Sequence, residues 1–470
     1  MPKRVLSFLA LILVGAPHAG ASGFQLREQS AAELGNAFAG ASAGAQDFTS
    51  MFWNPAAMSL YPGTQVSLNA SWIRARMDLF GASGTRASAF QPGNRSISGG
   101  PDLPNAVNQP VVPAFYVAYG LNDQWTLGFS VNVPFGLVTE YPDDFTGRYY
   151  ALRTDLKTYD IAPAVSWRPN ADWTFGVALV ARKAEATISN AVDFGAIGNA
   201  RGIPGFIPGK QDSIATLTGD AWAYGYKAGF TWQATPDLRV GLGYQGRTDL
   251  DIKGRIAYSS VPAAFSSAVS DSSAKAKLHL PATASAGFTW TLSPAISVQG
   301  EVAWTEWSVF KELRVSFDSG QPDDVTQENW SNTMFYSLGG IWKLNPAWAL
   351  KAGLAYDRSP VDNRYRTPRI PDSDRTWFSA GVAWSPSERT TVDFAATQII
   401  APDAKVDLRS GSSASCPGAS SPSCSGSSSW SAPSTNSASP SSRPRGSRRA
   451  SSRRRSTSSS PRGRQRSPRT

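Results

Sequence analysis

Histidine and cysteine, the side chains most often used for acid–base, nucleophilic and metal chemistry, are scarce in this chain. Its 470 residues include two of each. Apart from His18, near the N-terminus, there is only His279, and no Gly-x-Ser-x-Gly motif lies near it to supply a nucleophile. A lipid hydrolase built on Ser and His, the enzymatic alternative, therefore lacks visible partners. No phosphate loop, dinucleotide fingerprint or metal-ligand cluster stands out, so we expect no enzyme activity, no cofactor and no metal.

The elements that would position a functional residue are preceded by an export signal. A basic start is followed by the apolar stretch Val5–Val14 and by Ala19-Gly20-Ala21, whose small residues suit a signal peptidase. We expect residues 1–21 to be a signal peptide. Its removal takes His18 away and leaves Ser22 as the first residue of the mature chain.

Short turns and tryptophan divide the rest of the sequence. No later apolar run approaches the ~20 residues that a helix needs to cross a bilayer. Instead, six turns of the kind that joins antiparallel strands follow one another. They are Asn122-Asp123, Pro169-Asn170, Pro236-Asp237, Ser293-Pro294, Asn345-Pro346 and Pro386-Ser387. Tryptophan flanks nearly all of them, which is typical of a membrane interface and not of the alternative, a soluble β-protein with Trp in its core.

Between the turns, polarity alternates with the period of a β-strand. Leu238, Val240, Leu242 and Tyr244, for example, share one face, while small and polar residues share the other. The segments exceed the about 9–11 residues that cross a bilayer, and long Gly/Ser/Asp/Pro-rich connections join their other ends. This layout predicts an all-β fold, a transmembrane antiparallel β-barrel formed by residues 64–409.

One strand of such a barrel is missing from the sequence. Thirteen alternating segments can be counted, from Gln65–Leu79 to Thr391–Ile399, whereas single-chain bacterial barrels have an even number. Residues 410–470 stand in the place of the last strand. They are rich in Ser, Arg and Pro, and they hold both cysteines, so we expect no disulfide framework in the barrel.

The composition of this tail predicts disorder, because it has too few apolar residues to form a core. Removing its eleven arginines takes the formal net charge of the chain from +10 to −1. Arginine and serine in such numbers could form an RNA-binding arm, but an exported barrel meets no nucleic acid. We interpret residues 410–470 as the product of a frame change in a gene whose true last strand lies in another frame.

Two sets of motifs resemble a known family. Gly23-Phe24-Gln25-Leu26 is followed by small residues and by Asn54-Pro55-Ala56, and Tyr356–Pro360 is followed by Ile370–Arg375. From Ser22 to about Leu408 the chain is similar to the FadL-type family of outer-membrane channels for fatty acids and other hydrophobic compounds. The resemblance implies a barrel of fourteen strands and a small N-terminal helical hatch, here residues 22–63, that plugs the lumen.

The resemblance also implies which residues form the site. Gly23, Asn54, Pro55 and Ala56 belong to the hatch motifs and are the expected gating residues. Phe24 is expected to touch bound substrate. For Asn54-Pro55 the alternative is a simple turn before the first strand.

Two arginines match family positions that hold the carboxylate of a fatty acid, for which a guanidinium is well suited. They are Arg182, on the lumen phase of its strand, and Arg314, in the motif Trp307–Arg314. Either could instead be a solvated charge in a polar lumen. Pro134 interrupts the third strand, where the family has a kink that lets substrate leave sideways; an ordinary bulge is the alternative.

The sequence thus predicts a channel in the bacterial outer membrane that takes up long-chain fatty acids or similar hydrophobic molecules, binds them in the lumen and releases them laterally. An importer of aromatic hydrocarbons of the same family is the main alternative, followed by a general porin. The expected partners are the hydrophobic substrate, outer-membrane lipid and the barrel-assembly machinery. We expect a monomer that binds no nucleic acid.

Overall fold

The structure is a computed structural model that describes residues 23–87 and 94–408. The predicted signal peptide, residues 1–21, and the predicted tail, residues 410–470, lie outside the described residues. The strands are β1 (Thr64–Trp72), β2 (Thr85–Ala87), β3 (Asn94–Ser96), β4 (Val111–Gly120), β5 (Trp125–Asn132), β6 (Gly136–Glu140), β7 (Arg153–Trp167), β8 (Trp173–Asp193), β9 (Asp212–Thr235), β10 (Leu238–Gln245), β11 (Thr248–Ser259), β12 (Ser272–Leu280), β13 (Thr283–Ser293), β14 (Ile296–Thr305), β15 (Glu312–Phe317), β16 (Asp324–Gln327), β17 (Thr333–Asn345), β18 (Trp348–Asp357), β19 (Arg375–Ser387) and β20 (Thr390–Ile400).

Within the described residues, 18 of these strands form one antiparallel sheet, and β2 and β3 form a separate hairpin. Neighbours in the sheet follow the order of the chain, with β1 on β4, β7 on β8 and β19 on β20. We call one passage of the chain along the wall a crossing. Five crossings consist of two consecutive strands in line, such as β10 and β11, which both pair with β9. Counting each such pair once gives thirteen crossings, the number that the sequence predicts.

The two faces of the sheet differ as the alternation predicts. On β8, Val177 and Leu179 are exposed, at 53% and 70%, while Ala178, Val180 and Arg182 between and beyond them are buried. Exposed apolar side chains in a continuous band are suited to lipid, and the buried face is turned to the interior. The predicted tryptophan girdle is present, with stacked pairs at the strand ends. These pairs are Trp125 and Trp167, Trp173 and Trp232, and Trp348 and Trp384.

The hatch is a chain of very short helices. After α1 (Ala31–Leu34) come 3₁₀ helices at Ala41–Ala43, Phe48–Phe52 and Pro55–Leu60. Further short helices lie in the outer loops. They are α2 (Phe194–Ala200) and the 3₁₀ helices Ala263–Phe265 and Trp307–Val309. No helix in the described part of the chain is long and apolar enough to cross a membrane.

The sheet curves around the hatch, since hatch helices touch strands from β1 to β20. Eight inward glycines make this contact possible, because a Cβ on any of them would collide with a hatch atom. We call them the glycine belt: Gly128, Gly176, Gly229, Gly241, Gly243, Gly339, Gly353 and Gly381. Their partners are mostly main-chain atoms, which cannot move aside as a side chain can. The hatch is therefore held against the wall by direct backbone approach.

The sheet has two edges, β1 and β20, and no register joins them within the described residues. Helix α1 lies at this seam, where the Ala31 amide donates to Asn69 Oδ1 of β1 at 2.9 Å and α1 also contacts β20. After β20 the buried Val406 belongs to an apolar cluster against which Met77 and Leu79, which follow β1, also pack.

Candidate functional site

The third crossing is broken at Pro134. Because proline has no amide hydrogen, β5 ends at Asn132 and β6 begins at Gly136. β5 pairs with β4 and β7, whereas β6 pairs with β7 and, on its other side, is bridged only near its end, by Thr139 to Val107. The N-terminal segment takes the vacant side: the Leu26 amide donates to Pro134 O at 2.8 Å, and the Gly136 amide donates to Phe24 O at 2.9 Å.

Gln29 clamps the same break with its side-chain amide. Its Nε2 donates to Val133 O at 2.8 Å, and its Oε1 accepts from the Val133 amide at 3.1 Å. The main-chain oxygen of Gln29 accepts from Tyr116 Oη at 3.0 Å, and Tyr116 Oη accepts from Asn132 Nδ2 at 2.7 Å. The N-terminal segment and the break are thus one hydrogen-bonded unit, so displacing either one must disturb the other.

Phe24 lies at the centre of five aromatic rings that we call the aromatic box. The other rings are Phe135, Trp307, Phe310 and Trp330, whose centroids lie 6.0, 4.8, 5.9 and 5.7 Å from that of Phe24. All five are at most 2% exposed, and Phe135 belongs to the broken strand. A pocket of this composition binds apolar groups without requiring a charge.

Gly23 closes the box on one side. Its φ is +59°, and a Cβ would approach Trp330 to 2.6 Å, so both conformation and space require glycine here. Its amide donates to Asp372 Oδ2 at 3.0 Å. Buried aliphatic side chains from the strands of the wall extend the apolar surface around the box. They include Leu156, Leu217, Leu250, Ile252, Leu278 and Leu280.

Arg182 faces the lumen, as the alternation predicts, but it already has a counter-ion. Its Nε and Nη2 donate to the two oxygens of Asp160 at 2.6 and 2.7 Å, and both side chains are buried. Its guanidinium carbon lies 4.9 Å from the centroid of the Phe135 ring. The pair borders the aromatic box and is electrically neutral as a whole.

Arg314 lies elsewhere. It is on the exposed side of β15 and pairs with Glu312 at 2.7 Å and Asp323 at 3.0 Å, whereas the next residue, Val315, faces the buried cluster. The structure therefore does not bring Arg314 to Arg182. The 3₁₀ helix Trp307–Val309 separates β14 from β15, so the phase of the earlier strand does not predict the face on which Arg314 lies.

The Asn54-Pro55-Ala56 motif docks the hatch to the wall. Asn54 is fully buried; its Nδ2 donates to Ser42 O at 2.7 Å and to Phe230 O of β9 at 2.9 Å. Its Oδ1 accepts from the Ala56 amide at 3.0 Å, which starts the last 3₁₀ helix with Pro55 at its first position. The motif thus fixes one wall contact and one hatch contact with the same amide group.

The geometry does not support a catalytic serine. Gly40-Ala41-Ser42-Ala43-Gly44 does contain a Gly-x-Ser-x-Gly pattern, but the Ser42 hydroxyl donates to the buried Glu301 carboxylate and lies 2.6 Å from Ser285 Oγ. His279 lies on β12, partly exposed, paired with Asp249. Ser42 is therefore a docking residue of the hatch.

Sequence reasoning missed several polar residues of the N-terminal segment. Besides Gln29, these are Arg27 and Glu28, both buried, and Glu33 in α1. Burial lowers the pKa of Arg27 and raises that of Glu28. Burial also raises the pKa of Glu33 to about 8, in spite of a hydrogen bond from Ser50. The available signal was the presence of charged residues directly after the motif Gly-Phe-Gln-Leu.

Comparisons with known proteins support one class of function. Residues 12–433 match the family described as Outer membrane protein transport protein (OMPP1/FadL/TodX). The Long-chain fatty acid transport protein of Escherichia coli O6:H1 is 28% identical over 417 residues, covering 84% of this chain and 91% of that protein. Outer membrane protein P1 of Haemophilus influenzae is 30% identical over 415 residues, covering 84% and 89%.

Solved structures agree on the fold. The crystal structure of a Pseudomonas aeruginosa FadL homologue gives a TM-score of 0.73 at 22% identity, covering 87% of this chain and 96% of that one. The Ralstonia pickettii toluene transporter TbuX gives 0.58 at 18% identity, covering 86% and 96%. At such identities the likeness bears on the fold alone, which is a transmembrane antiparallel β-barrel.

Proposed function

The chain belongs to the outer membrane protein transport family (OMPP1/FadL/TodX), and from this premise we propose that it takes up long-chain fatty acids. The family assignment makes it a transporter of hydrophobic compounds in the bacterial outer membrane. The proposal adds the substrate class, the binding site and the route. The observation that carries it is the aromatic box, a buried apolar site built by the N-terminal segment on a broken strand of the wall.

The box is suited to an alkyl chain because its rings, together with the aliphatic residues beside it, remove a long apolar surface from water. In the described structure Phe24 fills the box with a side chain of the protein itself. A substrate would have to displace Phe24 or pack against it. Either event would pull on the Leu26 and Phe24 hydrogen bonds to the break at Pro134 and Gly136.

This coupling supports lateral release. Substrate binding at Phe24 would loosen the segment that covers the start of β6, and an opening there, before the bridge from Thr139 to Val107, leads between β4 and β6 to lipid. The hatch, held by the glycine belt and by Asn54, need not leave the barrel in this route. Gating then belongs to Gly23 and Phe24, while Asn54, Pro55 and Ala56 keep polar solutes out.

Two relatives named as long-chain fatty acid transport proteins, at 28% and 27% identity, support the substrate class. A basic residue at the edge of the box, Arg182, whose guanidinium carbon lies 4.9 Å from the centroid of the Phe135 ring, fits an anionic ligand. Arg182 remains a predicted head-group residue on condition that the ligand shares it with Asp160. Arg314, on the outer side of β15, has no part in this proposal.

An aromatic hydrocarbon is the second candidate substrate, favoured by the edge-to-face rings around Phe24. Binding to the detergent-solubilised full chain separates the two: displacement of a fluorescent fatty acid by palmitate or by toluene is measured. We expect palmitate to displace the fluorescent fatty acid. Phe24→Ala should weaken palmitate binding about tenfold or more, the effect of losing one large buried aromatic contact. Displacement by toluene alone would favour the hydrocarbon channel.

We further propose that the domain limits of the sequence analysis hold, with residues 1–21 removed on export, 22–63 as hatch and 64–409 as barrel. The barrel-assembly machinery and outer-membrane lipid are its expected partners, and the exposed apolar band of the sheet is the surface that lipid would cover. We expect a monomer, which can be tested by light scattering in detergent.

A further inference from the structure

Arg27 is a buried cation without an ion pair. Its side chain is 6% exposed, and among the described residues no carboxylate lies within ion-pair distance and no hydrogen bond to it is formed. Its guanidinium carbon lies 4.0 Å from the centroid of the Phe335 ring. Buried charges in proteins are normally paired and hydrogen-bonded, so an unpaired guanidinium in the lumen requires an explanation.

The nearby acidic groups do not supply the missing partner. Glu301 accepts from the amide and the hydroxyl of Ser42, and Asp357 faces Arg375 at 3.5 Å. Glu28, next in sequence, forms no ion pair with Arg27, and burial raises its pKa. Arg182 is the opposite case, because Asp160 meets its charge with two hydrogen bonds.

A second observation concerns two indole groups. Trp307 Nε1 and Trp377 Nε1 are buried donors without an acceptor. Trp307 belongs to the aromatic box, and Trp377 packs against Phe335, the ring that carries Arg27, at 6.3 Å. The two unmet indole donors thus flank the unpaired guanidinium, one in the aromatic box and the other beside Phe335, against which Arg27 lies. Donors without acceptors, one of them charged, indicate an anion site.

We propose that Arg27 binds the carboxylate of an amphiphile whose apolar tail lies in the aromatic box. This inference rests on the proposed function and assigns the head-group contact to Arg27. The charge of Arg182, beside Phe135, is instead neutralised by Asp160. Arg27 lies three residues after Phe24 on the same segment, so tail and head group would meet side chains of one short stretch of chain.

The test compares ligands that differ only in the head group. Binding of palmitate and of hexadecanol to the detergent-solubilised full chain is measured for the parent, Arg27→Gln and Arg27→Lys. We expect Arg27→Gln to weaken palmitate about tenfold or more, the factor expected for a lost charge-assisted hydrogen bond, and to change hexadecanol less than twofold. Arg27→Lys, which keeps the charge, should restore most of the palmitate affinity.

Arg314→Gln is the matched control, because it removes an arginine that is exposed and already paired; both affinities should remain those of the parent. Equal loss of palmitate and hexadecanol in Arg27→Gln would mean that Arg27 only shapes the site and would overturn the inference. Unchanged palmitate binding would overturn it as well. If the parent bound neither ligand while still migrating as a folded barrel, the proposed function would fail, and the inference with it.

Discussion

The role of a buried charged residue in this protein depends on whether another side chain of the protein neutralises its charge. Arg182 and Asp160 satisfy each other on neighbouring strands β7 and β8, in direct register. Removing one partner leaves the other charged and buried, which is far more costly than removing both. Arg27 has no such partner. The two arginines therefore differ in role although both face the lumen.

Arg182→Gln should lower the free energy of unfolding by about 3–5 kcal/mol, because Asp160 remains buried without its cation. Adding Asp160→Asn should recover most of this loss. Unfolding in denaturant, followed by the shift in gel migration between folded and unfolded barrel, measures both variants. Arg314→Gln, in an exposed pair, should leave the curve unchanged. A double variant as unstable as the single one would show that the pair is not the source of the effect.

The sequence predicted the face of Arg182 but not its partner. Alternation gives the face of a residue within one strand, whereas the pairing of Asp160 depends on the register between two strands, which no local pattern encodes. Arg314 failed to reach the site because a 3₁₀ helix interrupts the strand phase ahead of it. The sequence did not predict a role for Arg27, because a single charged residue after a motif forms no periodic pattern that would indicate its face. Its burial follows only from the position of the hatch inside the wall.

At the scale of elements, the contact between hatch and wall depends on residues that have no side chain. Gly229→Ala would drive a Cβ into Asn54 and into Leu242 O. We expect a loss of about 1–3 kcal/mol in hatch docking, as for other overpacked sites. The displaced hatch should admit small polar solutes in a liposome-swelling assay.

Gly120→Ala is the matched control for this variant. Its Cβ would have its nearest neighbour, Gly63 O, at 3.4 Å, an ordinary contact, and it lies at the end of β4 away from the belt. Liposomes containing it should swell no faster than those with the parent protein. Equal swelling with both variants, or no swelling with either, would show that the glycine belt does not contribute to the barrier against small polar solutes.

The hatch should also respond to pH through Glu33. Burial keeps its pKa at about 8 in the folded protein, against an ordinary value of 4.5. The unfolded chain therefore ionises first, so the stability that Glu33 contributes is present in acid and is lost as pH rises from 4.5 to about 8. Denaturation midpoints at about pH 5 and about pH 8.5 should differ in the parent and differ less in Glu33→Gln. The same difference in both would exclude Glu33 as its source.

The broken third crossing is the element that lateral release requires. Pro134→Val restores an amide hydrogen and permits continuous pairing from β5 into β6. We expect palmitate affinity to remain within about twofold, because the aromatic box is retained. Uptake should slow in cells that express the variant on a chain whose last strand has been restored. Uptake at the parental rate would show that the break is not the exit.

For the whole molecule, the seam between β1 and β20 is the decisive feature. Edge strands facing lipid leave backbone groups that cost several kcal/mol each when unsatisfied. We expect the full chain as given to be degraded in an outer-membrane host. A version whose residues after Leu408 are replaced by a loop and an alternating strand ending in an aromatic residue should migrate as a heat-modifiable barrel. Identical behaviour of the two would show that the seam needs no added strand.

The coding DNA offers a control that needs no protein. Read in another frame from near codon 409, it should encode such a loop and strand. The position of Val406 and Leu408 beside Met77 and Leu79 places the start of an added strand at the correct end of the seam to run antiparallel to both edges. Absence of a strand in both alternative frames would contradict the frame change.

The long-range hydrogen bonds of the hatch determine the order in which the parts of the protein fold. Asn54 bonds to Phe230, 176 residues further along the chain, and Lys351 bonds back to Ala32 across 319 residues. Helices of three to six residues have almost no stability on their own, and contacts over such separations form late. The part of the mature chain that is synthesised first is therefore the last to fold: it reaches the membrane as an unstructured segment and is moulded by the wall that closes around it.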